Sequence, residues 1–190
     1  LLANAVYAFG VWFHQRGLSH LLKLEVDPIN APNQLVYRLV SNSNTTKLLR
    51  ELNTQLKSIA YHGSTFYNGM MIMLYETLLA GADDPQKGLS HTQHRLDGDN
   101  PNTEYGAYAS QNLKVAQSYG TPHEVFSDGV FHRLTFEGMI PNPESQARDI
   151  GKFVKRIPHR GDQEQLLVAE GAFEVTALII DINCGVEPST

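Results

Sequence analysis

The stretch "SIAYHGSTFYN" (58–68) combines residue types that can do chemistry at close quarters. His62 brings an imidazole, Gly63 a position without Cβ, and Ser64 a hydroxyl. They stand between an apolar run and the apolar segment "GMMIMLYETLLAG". A seam of this kind is either an ordinary strand-to-helix turn or the floor of a small-molecule site. A second candidate, His91-x-x-His94, has the spacing of two metal ligands on one helix turn, but Gly, Asp and Pro surround it. With no cysteine nearby, solvated loop histidines are the expected reading, and no metal site is assigned. His14, His20, His123, His132 and His159 are scattered and read as surface or satisfied core residues.

Familiar signatures are missing. The chain has no G-x-G-x-x-G for a Rossmann dinucleotide turn and no Walker pattern. It has no G-x-S-x-G for a hydrolase elbow. Bulk composition narrows the field further. The 190 residues suit one domain with a small appendage, and 42% are hydrophobic, enough for a sizeable core. The formal net charge of −5 disfavours gripping a phosphate backbone by bulk charge. Lys152, Lys155, Arg156 and Arg160 form a local basic stretch, without a clear nucleic-acid patch. The single cysteine, Cys184, cannot form an internal disulfide and points to a reducing, intracellular compartment, cytoplasmic or nuclear. In that setting the sequon Asn44-Thr45-Thr46 carries no weight. No stretch reaches the roughly 20 apolar residues of a membrane span, so no membrane partner is expected. The opening "LLANAVYAFGVWF" lacks the basic start of a signal peptide, and a first residue Leu1 suggests a piece of a longer polypeptide or assembly.

Periodicity supplies the elements that must position these residues. Residues 1–24 carry apolar positions at helical spacing, broken at Gly17, which predicts one or two helices. The segment "DPINAPN" (27–33) marks a boundary, so residues 1–33 read as a helical extension and 34–190 as the main domain. The alternation in "QLVYRLV" (34–40) predicts a strand. Capping residues before Leu48, Leu49, Leu52 and Leu56 predict a helix. A short strand and turn at "AYHGS" and a helix over 69–80 ending at Gly81 come next. Residues 82–105 read as a long surface loop, 111–120 as a short helix and 129–140 as a strand. Residues 142–163 read as loop with a possible helical turn, and "LLVAEGAFEVTALIIDINC" as two strands about a Glu-Gly break. Short, irregularly spaced strands make this α+β rather than a doubly wound sheet.

Two segments together, "YHGSTFYNGMMIMLYETLLAG" and "EYGAYASQNLKVAQSYG" (104–120), resemble the catalytic domain of the poly(ADP-ribose) polymerase-like, diphtheria-toxin-type ADP-ribosyltransferases. The matching elements are His62-Gly63-Ser64, the helix after it, Gly106-Ala107-Tyr108, and Tyr119 after a small-residue-rich helix. The lead-in "KLLRELNTQLKSI" is similar as well, and the likeness spans residues 34–183. It implies split antiparallel or mixed β-sheets flanked by helices. It also implies NAD as a substrate and release of nicotinamide, with ADP-ribose passed to a protein or nucleic-acid acceptor, by single transfer rather than chain building. The same resemblance assigns His62, Tyr108 and Glu164 to catalysis, with Glu170 and Glu174 as alternatives for the acidic position. It assigns His62, Gly63, Ser64, Tyr108 and Tyr119 to NAD.

Those residue types suit that chemistry. Cleaving the nicotinamide–ribose bond builds positive charge on the sugar, which a carboxylate bonded to a ribose hydroxyl stabilises. His62 would bond the adenosine-side ribose, Gly63 the carboxamide through its backbone, and Ser64 a ribose hydroxyl. Tyr108 and Tyr119 would sandwich the cationic nicotinamide ring. Ala109 and Ala116 depart from the family pattern. Ala116 removes a carboxamide hydrogen bond worth about 0.5–1.5 kcal/mol. The alternative is a transferase-like fold kept as a binding or structural module.

Overall fold

The computed structural model describes residues 2–25, 33–40, 56–75, 78, 94–95, 105–145, 150–157 and 165–183. The first helix, α1 (Leu2–Gln15), buries Ala5, Phe9, Trp12 and Phe13 at helical spacing. It ends at Gly17, whose φ of 68° only glycine adopts without cost. No second helix comes after it: a 3-10 turn (Ser19–Leu21) leads into a strand, β1 (Leu22–Glu25). Its half-buried Leu22 and Leu24 alternate with exposed Lys23 and Glu25, a period of two. The segment before residue 33 therefore contributes both a helix and a strand, where only helix was expected.

β2 (Gln34–Leu39), β3 (Lys57–Ser64), β7 (Phe131–Pro141) and β10 (Glu174–Asp181) complete the main path of the large sheet, in the order β1-β2-β10-β7-β3. A short strand, β6 (His123–Glu124), pairs with the start of β7. The small sheet has the order β4-β5-β9-β8, from β4 (His94–Arg95), β5 (Tyr105–Ala109), β8 (Val154–Ile157) and β9 (Gln165–Ala169). Every strand pair is antiparallel. The protein is thus α+β, with two antiparallel sheets and three described helices.

The strands expected at 34–40 and 129–140 and the closing pair about the Glu-Gly break are present, the last turning at Gly171 (φ 80°). Besides β1, three short strands were not foreseen: β6, β8 and β4. β8 lies inside the segment read as loop, and β4 inside the segment 82–105, of which only 94–95 and 105 are described. The helix expected at 47–56 lies almost wholly outside the described residues. So does the end of the helix expected at 69–80, whose described part, α2 (Phe66–Tyr75), begins earlier. Thr65 explains that start, because its Oγ1 accepts from the Asn68 N–H at 3.1 Å and caps the helix.

One face of the large sheet carries α1 and α2. Phe9 is fully buried there, 4.8 Å from the Phe126 ring, 5.9 Å from Phe66 and 5.1 Å from the His132 imidazole. Gly69 lets α2 lie close to β7, since a Cβ there would stand 2.2 Å from Leu134 Cδ2. The remaining helix, α3 (Leu113–Tyr119), packs on the opposite face over Gly63. Asn112 caps it, accepting from the Lys114 N–H at 3.0 Å. Among the described residues, no helix is long and apolar enough to cross a membrane.

Candidate functional site

Main-chain pairing joins the two sheets at one described residue pair. Tyr61 N–H donates to Ser110 O at 2.7 Å, and Ser110 N–H donates to Tyr61 O at 2.9 Å. Strand alternation fixes where the neighbouring peptide groups point. With the Tyr61 main chain turned toward Ser110, that of His62 turns to β7 and that of Gly63 turns back toward β5. A continued ladder would next pair Gly63 with Tyr108. Instead the His62 side chain takes the Tyr108 carbonyl, Nδ1 to O at 2.6 Å. A carbonyl only accepts, so Nδ1 carries the proton, and in the neutral ring Nε2 is left as an acceptor. The imidazole thus acts as the wedge that ends the ladder at the joint, and alternation turns the Gly63 amide and carbonyl toward this opening in the ladder.

Ser64 lies on the His62 face of β3 and is buried. Tyr108 is half-buried and Tyr119 is 47% exposed at the end of α3. Burial raises the pKa of the Tyr108 phenol, and the Tyr119 phenol nearby raises it further. The two phenols are therefore near each other. Gly63 has a role the sequence did not reveal. A Cβ there would stand 2.0 Å from Ala116 O and 2.6 Å from Gly120 N, so the bare Cα admits α3 against the sheet. His62 and Tyr108, 46 positions apart, are thus hydrogen-bonded, and Gly63 lies under the helix that ends at Tyr119.

The acidic position is different. Glu164 lies outside the described residues. Glu170 is exposed in the turn after β9. Glu174 is half-buried at the first residue of β10, where the chain passes from the small sheet to the large one. It lies opposite Met139, whose partner on β3 is Ile59, so the register sets it two strands from His62. Glu137 lies directly across from Tyr61, but Arg38 holds it at 2.5 Å.

Two further residues, Asp181 and Gln117, escaped sequence reasoning. Asp181 accepts from Gln34 Nε2 at 2.6 Å and from Gln117 Nε2 at 3.0 and 3.2 Å. Its only sequence signal is a carboxylate closing the apolar run "ALII". No group of three or more His, Cys, Asp or Glu among the described residues could hold a metal ion.

Burial lowers the pKa of both His62 and His132 below 6.5, opposed by the Tyr108 hydrogen bond in the first and by Asp128 in the second. The unfolded chain then binds protons that the folded chain refuses. Stability is full above 6.5 and is lost as pH falls below it. Denaturant melts at pH 7.5 and 5.5 should show the acid sample unfolding earlier, and His132→Phe should flatten that dependence. His132 packs against Phe9 and Phe126 and pairs across β6 with His123, so phenylalanine suits the site. The pKa of Asp181, raised by burial, acts in the opposite sense but starts from 3.8, lower on the scale.

Compared with known proteins, the chain matches no family model, and no curated protein matches it.

Proposed function

We propose that the chain is an ADP-ribosyltransferase that takes ADP-ribose from NAD. The observation that supports this most is the wedge at β3. His62 holds the Tyr108 carbonyl, strand alternation turns the Gly63 amide and carbonyl toward the same side, and the Tyr108 and Tyr119 phenols are near each other. A primary carboxamide on a flat ring needs that set: one acceptor, one donor and aromatic faces above and below. His62 Nε2 accepts from a ribose hydroxyl, and Ser64 bonds a second one. The C1′–nitrogen bond breaks with its electron pair leaving on nicotinamide. The sugar carbon becomes cationic, and an oxygen of the acceptor attacks it and gives up its proton. As the leaving ring turns neutral, its attraction to Tyr108 and Tyr119 fades and it is released. The acceptor is a protein or nucleic acid, and a single transfer fits better than chain growth. The chain would work in an intracellular compartment, as part of a larger polypeptide or assembly.

Among the described carboxylates, Glu174 suits the charge-stabilising role best, being half-buried where the chain crosses between sheets. The register that sets it two strands from His62 favours a second reading, a dinucleotide-binding module without turnover. Labelled NAD separates the two. Wild type should label an added protein or itself. Glu174→Gln should slow labelling about a hundredfold while NAD affinity changes less than about threefold. Glu170→Gln should behave as wild type. The same loss from Glu164→Gln instead would move the role there. NAD binding without any labelling would leave the module reading.

A further inference from the structure

We infer that Asp181 is a positioning residue that, through Gln117, sets where α3 presents the Tyr119 ring beside Tyr108. As far as the ligand goes, this rests on the ADP-ribosyltransferase reading; the geometry does not. The carboxylate ends β10 and faces three elements. Gln34 on β2 donates to Oδ1, and Gln117 on α3 donates to both oxygens. Arg133 on β7 is its cross-strand partner and the nearby cation. Gln117 is the only one of the three on a helix. It comes after Ala116, whose carbonyl abuts Gly63, and precedes Tyr119 by two residues. Gly120 then tucks against Arg133 Cγ and Leu134 O. The helix is thus held at its C-terminal turn, where its tyrosine meets the cleft. The Asn112 cap at its other end is local, bonding the helix to its own first turn. Hydrogen bonds to a charged acceptor are the strong kind, so the carboxylate is the anchor that sets the C-terminal turn.

The test uses the whole chain labelled with 3-fluorotyrosine, with the Tyr119 signal assigned by Tyr119→Phe. Nicotinamide serves as the binding probe. Gln117→Glu sets carboxylate against carboxylate. It should move or broaden the Tyr119 fluorine signal and weaken nicotinamide about tenfold. Q117E combined with Asp181→Asn exchanges the two roles: the new amide at 181 donates to the new carboxylate at 117 and still accepts from Gln34. Signal and affinity should return to within about twofold of wild type. Gln34→Ala should lower the melting temperature yet leave both readouts in place. Should the paired carboxylates block folding, Gln117→Ala supplies the comparison without added charge. The inference is overturned if Gln117→Glu leaves the Tyr119 signal unmoved, if the exchange fails to restore it, or if Gln34→Ala has the same effect. Expected fluorine shifts with no nicotinamide binding by wild type would sink the transferase reading and leave the positioning role standing.

Discussion

Replacing His62 with alanine should abolish the proposed ADP-ribose transfer and leave the fold as stable as before, or more so. The reason is the carbonyl it occupies. In the wild type the Tyr108 oxygen accepts from the imidazole, and the ladder stops at Tyr61–Ser110. Without the ring, that oxygen is free to accept from the Gly63 N–H, the next pair in register. The strands can then close by one step over the cleft. Two losses combine: the ribose acceptor at Nε2 and the opening itself. Labelling should fall by at least about a hundredfold, in line with the loss of a positioning group. Amide exchange gives the direct check. The Gly63 N–H should exchange readily in the wild type and become protected in His62→Ala. Robust labelling by the variant, or an unprotected Gly63 in it, would reject the wedge.

Gly63→Ala should fail in the opposite manner, losing stability and activity together. The added methyl meets Ala116 O at 2.0 Å and Gly120 N at 2.6 Å, main-chain atoms that no rotamer change removes. Either α3 lifts from the sheet or β3 bends. Overpacking of this severity costs about 1–3 kcal/mol or more. Lifting α3 also carries Tyr119 away from Tyr108, so nicotinamide binding should drop with the melting temperature. A urea titration beside a binding isotherm reads both. Wild-type values in either would show that α3 does not seat on Gly63.

The contrast between these substitutions shows what the sequence could reveal. Local patterns marked β2, β7 and the β9–β10 pair, because each alternates or runs apolar between turn residues. They marked α3 as a short, small-residue-rich helix over 111–120. The joint order His62, Tyr108, Tyr119 pointed to one shared site; the fold joins the His62 ring to the Tyr108 carbonyl and brings the Tyr119 phenol near that of Tyr108. β1 was hidden by the leucines of 18–24, which fit a helix as well as a strand until β2 is there to pair with. β8 was hidden by its basic residues and by the proline and glycine that follow it in the sequence. The contact of Gly63 with Ala116 is a tertiary close approach, and no local pattern encodes it. Asp181 was missed for the same reason: its donors lie 147 and 64 positions away. The acidic position depends on which strand the chain crosses to, and spacing alone does not determine that.

The main-chain seam between the sheets is a single pair of peptide groups, with the His62 side chain on the Tyr108 carbonyl beside it. Tyr61 and Ser110 contribute an N–H and a C=O each, and neither side chain enters the bond. Substitution at either place can therefore drift widely while the angle of the two layers persists, with proline as the exception because it lacks the donor. Relatives that kept this architecture need share no recognisable letter at the very point where their halves are fastened.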